Sequence, residues 1–424
     1  MASSWARVAP AVLLLISARP ARAQPSSPAE QRIAAARKAI ATDPASYRAH
    51  AELALALARR ARETSDATLY DRAMEEVERS MAVAKDNQEA QRARIWVLLG
   101  KHEFGPALDL ARTFNQRFPD DLSGYALLVD ANAELGNYAD AERAAQWLLD
   151  MRPGNIPGLT RAAHLRELFG DAEGALELMR TTLERTAAGE VEERAWILTQ
   201  VAHLHLMAGR ISAAEDAAGQ ALTIFPDYHY ALAGLAKVRG AQRRHAEAAA
   251  LLERRHRLAP HPENLFALGE ALARAGRERE AARAFAEFER RATAEAASWD
   301  NANRELVFYL TDHAARPRQA LRMAELEVAR RHDVLTLDAY AWALHRNGRR
   351  ADARREMERA LAVGFREAGM LYRAGAIALE TRDREAARRY FESSLALDSS
   401  SAVAPMARRM LARLSRGAAE TARP

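Results

Sequence analysis

The 424-residue sequence contains no cysteine, which excludes several classes of site. Without thiols the chain cannot form disulfide bonds, bind metal through sulfur, use a cysteine nucleophile or be a lipoprotein. The sequence also lacks the GxxxxGK[ST], GxGxxG, HExxH and GxSxG patterns of phosphate-binding loops, dinucleotide folds, zinc proteases and serine hydrolases. We therefore expect a protein that is not an enzyme and that holds neither a cofactor nor a metal.

Glycine, proline, lysine and aromatic residues are scarce as well. The chain has 20 glycines, 15 prolines and 6% aromatic residues, and its only lysines are Lys38, Lys85, Lys101 and Lys237. Long stretches of alanine, leucine, arginine and glutamate favour helix, and no alternating apolar and polar run indicates a strand. The composition predicts an all-α chain.

Residues 1–23 have the form of a secretory signal peptide. Arg7 gives a positive start, residues 8–16 are apolar, and Ala21-Arg22-Ala23 is a small-x-small cleavage site. The apolar run is too short to cross a bilayer as an anchor of the folded protein. We expect cleavage, an exported protein in the periplasm or outside the cell, and no transmembrane segment afterwards. An uncleaved leader that anchors the chain is the alternative.

Loss of the leader would also bring the chain close to neutrality. The formal charge falls from +5 to +2, because the leader carries Arg7, Arg19 and Arg22 and no acidic residue. A nearly balanced charge gives no reason to expect a polyanionic partner, in spite of a pI near 9.6. Nucleic-acid binding is also disfavoured by export.

Two apolar patterns of helical period flank a turn at Gly276. The first runs through Leu268 and Leu272, and the second through Phe285 and Phe288. Glycine supplies the left-handed backbone that ends a helix and lets the chain reverse. Neither helix can bury its apolar stripe alone, so the pair needs neighbours.

The same pattern recurs along most of the chain. The alanine at the start of each second helix, here called the anchor, recurs at steps of 33 or 34 residues, with two steps of 39: Ala73, Ala107, Ala141, Ala175, Ala214, Ala248, Ala281, Ala320, Ala353 and Ala387. A glycine lies five residues before the anchor in five repeats: Gly136, Gly170, Gly209, Gly276 and Gly348. A proline lies twelve residues after the anchor in four repeats: Pro119, Pro153, Pro226 and Pro260.

A helix-turn-helix period of 34 residues resembles the tetratricopeptide repeat family. The resemblance covers nearly the whole chain after the leader. It implies an all-α, right-handed α-solenoid of about ten helix-turn-helix repeats with a C-terminal capping helix.

The repeat frame divides the chain into four parts. After the signal peptide, residues 24–44 are predicted to form a linker and an N-terminal half-repeat or capping helix, 45–400 the repeat array, and 401–424 a capping helix and tail. A polar insertion at 62–68 lengthens the first turn, and the two 39-residue steps mark insertions near 186–193 and 291–301. The last two could divide the array with a hinge, but the apolar period resumes at once on both sides, so we expect the array to form one domain.

The resemblance also implies a concave groove lined by fixed positions of each first helix. These positions hold several aromatic and basic residues, which are typical of recognition hot spots. The groove residues are predicted to be Trp196, His203, Tyr230, Lys237, Phe266, Glu270, Arg274, Tyr309, Asp338, Trp342 and Arg346, with His164, His313, His345 and Tyr372 at equivalent positions. Packing between repeats is the alternative role for each of them.

We therefore expect a non-catalytic exported scaffold or adaptor that binds a partner protein or peptide segment in this groove. The alternative is a glycan-binding repeat protein of the bacterial envelope, in which Trp196, Tyr230, Tyr309 and Trp342 would stack on the sugars of a polysaccharide. An enzyme remains only if His313, Asp338 and His345 form a cluster across repeats.

Overall fold

Helices make up nearly all of the part of the chain that the structure describes. A computed structural model describes residues 27–421, with side chains as far as residue 416, so the predicted leader and residues 24–26 lie outside it. Within this range there is no strand, and a π-helical turn, Tyr309–His313, directly follows α16. The helices are α1 Pro28–Thr42, α2 Tyr47–Thr64, α3 Thr68–Val83, α4 Gln88–Gly100, α5 Phe104–Arg117, α6 Leu122–Leu135, α7 Tyr138–Met151, α8 Ile156–Leu168, α9 Ala172–Arg185, α10 Val191–Met207, α11 Ile211–Ile224, α12 His229–Ala241, α13 His245–Leu258, α14 Pro262–Arg274, α15 Glu278–Glu295, α16 Asn303–Phe308, α17 Pro317–Val328, α18 Val334–Arg346, α19 Arg350–Ala362, α20 Ala368–Glu380, α21 Arg384–Leu397 and α22 Ala404–Thr421.

Helices α2 to α21 form ten hairpins, each made of an even-numbered helix and the odd-numbered helix that follows it. The second helix of each hairpin packs on the first helix of the next, so the hairpins stack into a solenoid. At the two ends of this array, α1 packs on α2 and α22 packs on α21. The prediction of an all-α solenoid of about ten repeats is confirmed.

The ten anchor alanines lie where the two helices of a hairpin are in contact. All ten are buried, and none exceeds 5% exposure. A larger side chain would push the helices apart, because protein interiors are packed without spare volume. The apolar layers between hairpins also use larger residues, such as Phe114, Phe288 and Phe391, which are fully buried.

The turn inside nine of the hairpins places one residue in the left-handed region, five positions before the anchor. Five of these residues are the predicted glycines, with φ between 71° and 87°. The other four are not glycine: His102, Arg243, Ala315 and Arg382, with φ between 52° and 67°. Left-handed backbone costs a residue with a Cβ roughly 1–2 kcal/mol, so these four turns hold strain that glycine would relieve.

The solenoid is wound so tightly that early repeats contact repeats about five positions further along the chain. The C-terminal part of α2 lies against α10 and α12: Arg62 Nη2 is 2.5 Å from Glu192 Oε2, and the Arg62 carbonyl accepts a hydrogen bond from His229 Nε2 at 2.9 Å. Glu190, just before α10, pairs with Arg32 at 2.8 Å and with Arg59 at 3.4 Å.

The next repeats make equivalent contacts. His102 Nδ1, between α4 and α5, is 3.3 Å from Asp300 Oδ1, between α15 and α16. The Val334 N–H at the start of α18 donates to the Tyr138 hydroxyl of α7 at 2.8 Å. The backbones of two turns are also hydrogen-bonded directly, since the His332 N–H donates to the carbonyl of Leu135 at the end of α6 at 3.1 Å.

A further contact between turns depends on a glycine. Gly364, between α19 and α20, has φ 115° and lies against the end of α8, where an added Cβ would come within 2.5 Å of the Phe169 carbonyl oxygen. One apolar cluster contains residues of α6 to α8 together with residues of α18 to α20. Successive turns of the solenoid therefore share part of one core.

The sequence insertions supply many of these contacts between turns. The extra residues of the first hairpin include Arg62, and the two insertions at repeat junctions include Glu190 and Asp300. Each of these residues touches a repeat of another turn. The insertions therefore attach distant repeats to one another, whereas the sequence alone had left open a hinge at the two repeat junctions.

No helix among residues 27–421 has the length and apolar character needed to cross a membrane.

A reciprocal pair of substitutions tests the turn geometry. Gly276 has φ 74°, and an added Cβ would meet no atom within 4 Å, so Gly276→Ala isolates the backbone cost. We expect this variant to lose about 1 kcal/mol of unfolding free energy and Ala315→Gly to gain a similar or smaller amount. Urea unfolding followed by circular dichroism measures both, and midpoints that move in the same direction would contradict the assignment.

Candidate functional site

The first helices of the fifth to eighth hairpins line an open cavity of about 470 Å³. This volume lies in the range of ligand pockets, roughly 300–1,000 Å³. Most of its lining comes from one face of α10, α12, α14 and α16: Thr199, His203, Tyr230, Lys237, Glu263, Phe266, Arg304, Glu305 and Phe308, with Arg255 added from α13. Four predicted groove residues, His203, Tyr230, Lys237 and Phe266, thus share one cavity.

A second cavity of about 190 Å³ adjoins the first and lies between two turns of the solenoid. Its walls come from α5, α6 and the turn before α5, and from the stretch between the end of α15 and α18, and they include Glu134 and Trp299. Glu263, Arg304 and Glu305 line both cavities. We call the two compartments together the lumen; the contacts between turns form part of its wall.

The charges around the larger compartment are almost all paired. Arg255 is 3.4 Å from Glu263, and Arg304 Nη1 is 3.6 Å from Glu305. Burial raises the pKa of Glu305, although Arg304 opposes the shift. These pairs leave the wall polar without a large excess of either charge.

A histidine pair adds to this network. His203 Nε2 donates to Glu167 Oε1 at 2.8 Å. Burial alone would raise the pKa of Glu167, but the hydrogen bond and positive charge of His203 outweigh it and hold the pKa below its usual value. Glu167 is thereby kept as a carboxylate beside the cavity.

Lys237 differs from the other charged residues of the lumen. Its side chain is exposed, yet burial among the surrounding protein lowers the pKa of its ammonium group. In the part of the chain that the structure describes, no hydrogen bond or ion pair joins Lys237 to another residue. The ammonium therefore faces the larger compartment without a counterion.

Three aromatic rings complete the wall of the larger compartment. The Tyr230 ring centroid is 3.9 Å from that of His229, and Phe266 packs at 5.3 Å from Phe288. The guanidinium of Arg373 lies 4.5 Å from the ring centroid of Phe308. All three rings are half-buried, so packing holds them in place before any ligand arrives.

Three further predicted groove residues do not line the lumen and lie in a neighbouring cluster: Glu270, Arg274 and Tyr309. Glu270 Oε1 is 2.6 Å from Nε2 of His313, and its other oxygen is 3.6 Å from Arg274. Tyr309 donates its hydroxyl to Glu289 at 3.0 Å. The π-helical turn carries Tyr309 and His313 on one side, which their stacked rings show.

The structure corrects the predicted position of Asp338 and Trp342 in the groove. Both are buried, at 0% and 5% exposure, so the prediction that they line an open groove is wrong. Asp338 accepts a 2.8 Å hydrogen bond from Arg373 Nε of the next first helix, and Trp342 Nε1 donates to Asp312 at 2.9 Å. Their positions serve packing between repeats, as does the equivalent Tyr372, at 8%.

The remaining tryptophan and arginine are also engaged with the protein. Trp196 is half-buried against two apolar clusters between hairpins. Arg346 donates to the Thr311 carbonyl at 3.0 Å and lies 5.7 Å from the ring centroid of Trp342. Because both tryptophans pack inside the solenoid, the glycan-binding alternative loses two of the four rings on which it depended.

Among the lining residues that the sequence analysis missed, five have charged or aromatic side chains: Arg255, Glu263, Arg304, Glu305 and Phe308. The repeat frame could have predicted two of them, since Glu263 has the same repeat position as Tyr230, and Glu305 has the same repeat position as Phe266. Arg255 lies on a second helix, which the groove positions do not cover. No repeat pattern would have selected Arg304 or Phe308.

The histidines do not assemble a catalytic cluster with Asp338. His313 is bonded to Glu270, while His345 stacks on Trp342 with a centroid distance of 4.9 Å. His164 is exposed. Among the described residues, no group of three or more histidine, aspartate or glutamate side chains is placed to hold a metal ion.

The Glu270–His313 pair gives a direct test of the site's electrostatics. The hydrogen bond to the Glu270 carboxylate raises the pKa of His313 above 6.5, and although burial opposes it, the same pairing holds the pKa of Glu270 below 4.5. The pair's contribution to stability is therefore present between pH 4.5 and pH 6.5, and it is lost as the pH rises through the His313 pKa or falls through the Glu270 pKa. We expect NMR titration to show this raised pKa and Glu270→Gln to lower it, whereas Glu75→Gln on α3 should leave it unchanged. A His313 pKa that is the same in Glu270→Gln as in the wild type would contradict the pairing.

Comparison with known proteins finds similarity in structure only. No protein-family model matches the sequence, and no curated protein matches it. Among solved structures, PilW, a type IV pilus biogenesis factor, is 10% identical with a TM-score of 0.41, covering 48% of this chain and 92% of its own. A tetratricopeptide repeat protein from Parabacteroides merdae is 15% identical with a TM-score of 0.36, covering 61% and 98%.

A third similar structure is the human IFIT1 dimer with PPP-AAAA, which is 12% identical with a TM-score of 0.47, covering 88% of this chain and 95% of its own. Such low identities and TM-scores carry no information about what this chain binds. The fold rests on the ten hairpins and their buried anchors. The chain is a solenoid of tetratricopeptide-like repeats.

Proposed function

We propose that this protein is a non-catalytic scaffold that holds a segment of a partner protein in its lumen. The observation that carries the proposal is the larger compartment, where four consecutive first helices present aromatic and charged side chains to one cavity of about 470 Å³. Such a mixture suits a peptide, which offers both apolar side chains and backbone hydrogen-bonding groups.

The lumen is ordered by contacts within the solenoid. Phe266 is held by Phe288, and His203 by Glu167, so little side-chain freedom remains to be lost on binding. Association is strengthened when the receptor does not have to be ordered at the same time. The proposed role is therefore recognition by a preformed surface, and it requires neither a cofactor nor a bond-breaking step.

We further propose that the scaffold acts in the bacterial envelope or outside the cell. The support is the signal-peptide pattern of residues 1–23. An envelope location would also suit a chain without cysteine, because oxidation cannot then crosslink it.

Site-specific crosslinking in intact cells tests the proposal. Because the chain has no cysteine, a single cysteine carrying a photoreactive group can be placed at Gln200, which lines the lumen, or at Arg354, on the outer helix α19. We expect the probe at position 200 to capture one discrete partner protein that the matched probe at position 354 does not capture. Mass spectrometry identifies the crosslinked peptide.

Two results would contradict the scaffold proposal. The first is the same set of captured proteins from both positions, which would show no preference for the lumen. The second is oligosaccharide retained by the purified protein together with no protein captured at position 200, which would favour glycan binding.

A further inference from the structure

Lys237 is the charged residue of the lumen that the fold leaves without a partner. From this we infer that the lumen binds a single carboxylate next to an apolar side chain, with the carboxylate paired to Lys237 and the apolar group against Tyr230, Phe266 and Phe308. The inference rests on the proposed function and names the chemistry of the segment that the lumen would hold: an acidic residue, Asp or Glu, beside an aromatic or aliphatic one.

The surrounding charges do not satisfy Lys237. Of the carboxylates that influence its ammonium group, Glu167 accepts a hydrogen bond from His203, and Glu367 lies 3.6 Å from Arg373. Arg255 and Arg304 face the same cavity and oppose a further positive charge there. An incoming anion would therefore find one uncompensated cation.

The environment makes that charge more effective than a surface lysine. A cation in a cavity walled by protein gains more from a counterion than a cation on a convex surface does, because the local dielectric constant is lower. Surface ion pairs strengthen an association only about fivefold at most, whereas a hydrogen bond to a charged group strengthens it roughly tenfold or more. Lys237 thus has the properties of an anchoring residue.

The residue type supports a role for Lys237. Of 62 basic residues in the chain, only four are lysines, and Lys237 is the one that lines the lumen. Lysine presents a compact charge on a flexible stem, whereas the planar guanidinium of arginine suits bidentate pairing with a fixed carboxylate. A compact ammonium group can follow a carboxylate whose position varies with the bound segment.

A carboxylate fits better than a phosphate. A phosphate group carries nearly two negative charges and is usually bound by several cationic donors. Here Arg255 and Arg304 are already paired with Glu263 and Glu305, and these two carboxylates would repel a dianion. The aromatic rings on the same wall require that an apolar group accompany the charge.

Peptide selection on the full-length protein tests the inference without knowledge of the partner. A phage-displayed library of random dodecapeptides is selected against the wild type, Lys237→Met, Lys237→Glu and the control Lys85→Met, which changes an exposed lysine between α3 and α4. We expect the wild type and Lys85→Met to enrich Asp or Glu beside an aromatic or aliphatic residue. Lys237→Met should lose the acidic preference, and Lys237→Glu should favour Lys or Arg.

A binding cycle with one selected peptide gives the magnitude. Replacing its acidic residue by the amide should weaken binding to the wild type about tenfold and leave binding to Lys237→Met unchanged, as expected for a partly desolvated ion pair. Replacing the acidic residue by phosphoserine should not restore the affinity. Equal losses in both proteins, or full affinity with phosphoserine, would overturn the inference.

The outcomes separate this inference from the proposed function. Selected peptides without acidic enrichment, or acidic enrichment that survives Lys237→Met, would overturn the role of Lys237 while the scaffold proposal stands. Failure of the wild type to select any peptide would contradict peptide binding itself. Thermal unfolding completes the test: Lys237→Met should melt at or above the wild-type temperature, because it removes an unpaired cation, and a large decrease would show a structural role instead.

Discussion

The architecture depends on the contact between successive turns of the solenoid, and Glu192 is at the centre of that contact. Glu192 is only 1% exposed. Its carboxylate forms an ion pair with Arg62 of the first hairpin at 2.5 Å and accepts a hydrogen bond from the Tyr228 hydroxyl at 2.8 Å. Burial alone would lower the pKa of Arg62, but the Glu192 charge reverses that effect. A buried carboxylate without its partner costs several kcal/mol, so this ion pair favours one arrangement of the turns over looser ones.

The lumen is a consequence of that arrangement. A repeat solenoid without contacts between turns has an open groove, whose inner side chains face bulk water. Here the turns are also in contact at His102–Asp300 and at Tyr138–Val334, and inner side chains of α10, α12, α14 and α16 face one shared cavity. The protein that surrounds this cavity accounts for the lowered pKa of Lys237, whose side chain is still exposed, and for the raised pKa of Glu305.

Much of the fold could be predicted from the sequence, because each hairpin is a local structure with local signals. The anchor alanines and the five turn glycines fixed the helix pairs, and the same frame brought His203, Tyr230, Lys237 and Phe266 to one cavity. The contacts between turns could not be predicted. They depend on the summed rotation of several hairpins, which no local pattern encodes, and their residues look like ordinary polar surface.

The errors at Asp338 and Trp342 have a related cause. Their repeat positions are the same as those of Phe266 and Glu270, but Arg373 on the next first helix supplies a buried partner for Asp338. Whether an inner position faces a cavity or a neighbouring helix is decided by the side chains of the next repeat. The repeat frame therefore predicts which face of the helix a residue lies on, and packing against the next repeat decides whether its side chain is exposed.

The closure of one turn on the next is tested most directly by a distance between them. Spin labels on cysteines at Lys101 and Trp299, in a chain with no other cysteine, lie on either side of the His102–Asp300 contact and preserve both of its residues. Pulsed electron paramagnetic resonance should give one narrow distribution at short distance. Helix layers stack about 8–10 Å apart, so five unconnected repeats would separate the labels by about 40 Å or more, and a broad distribution at such distances would contradict the closed solenoid.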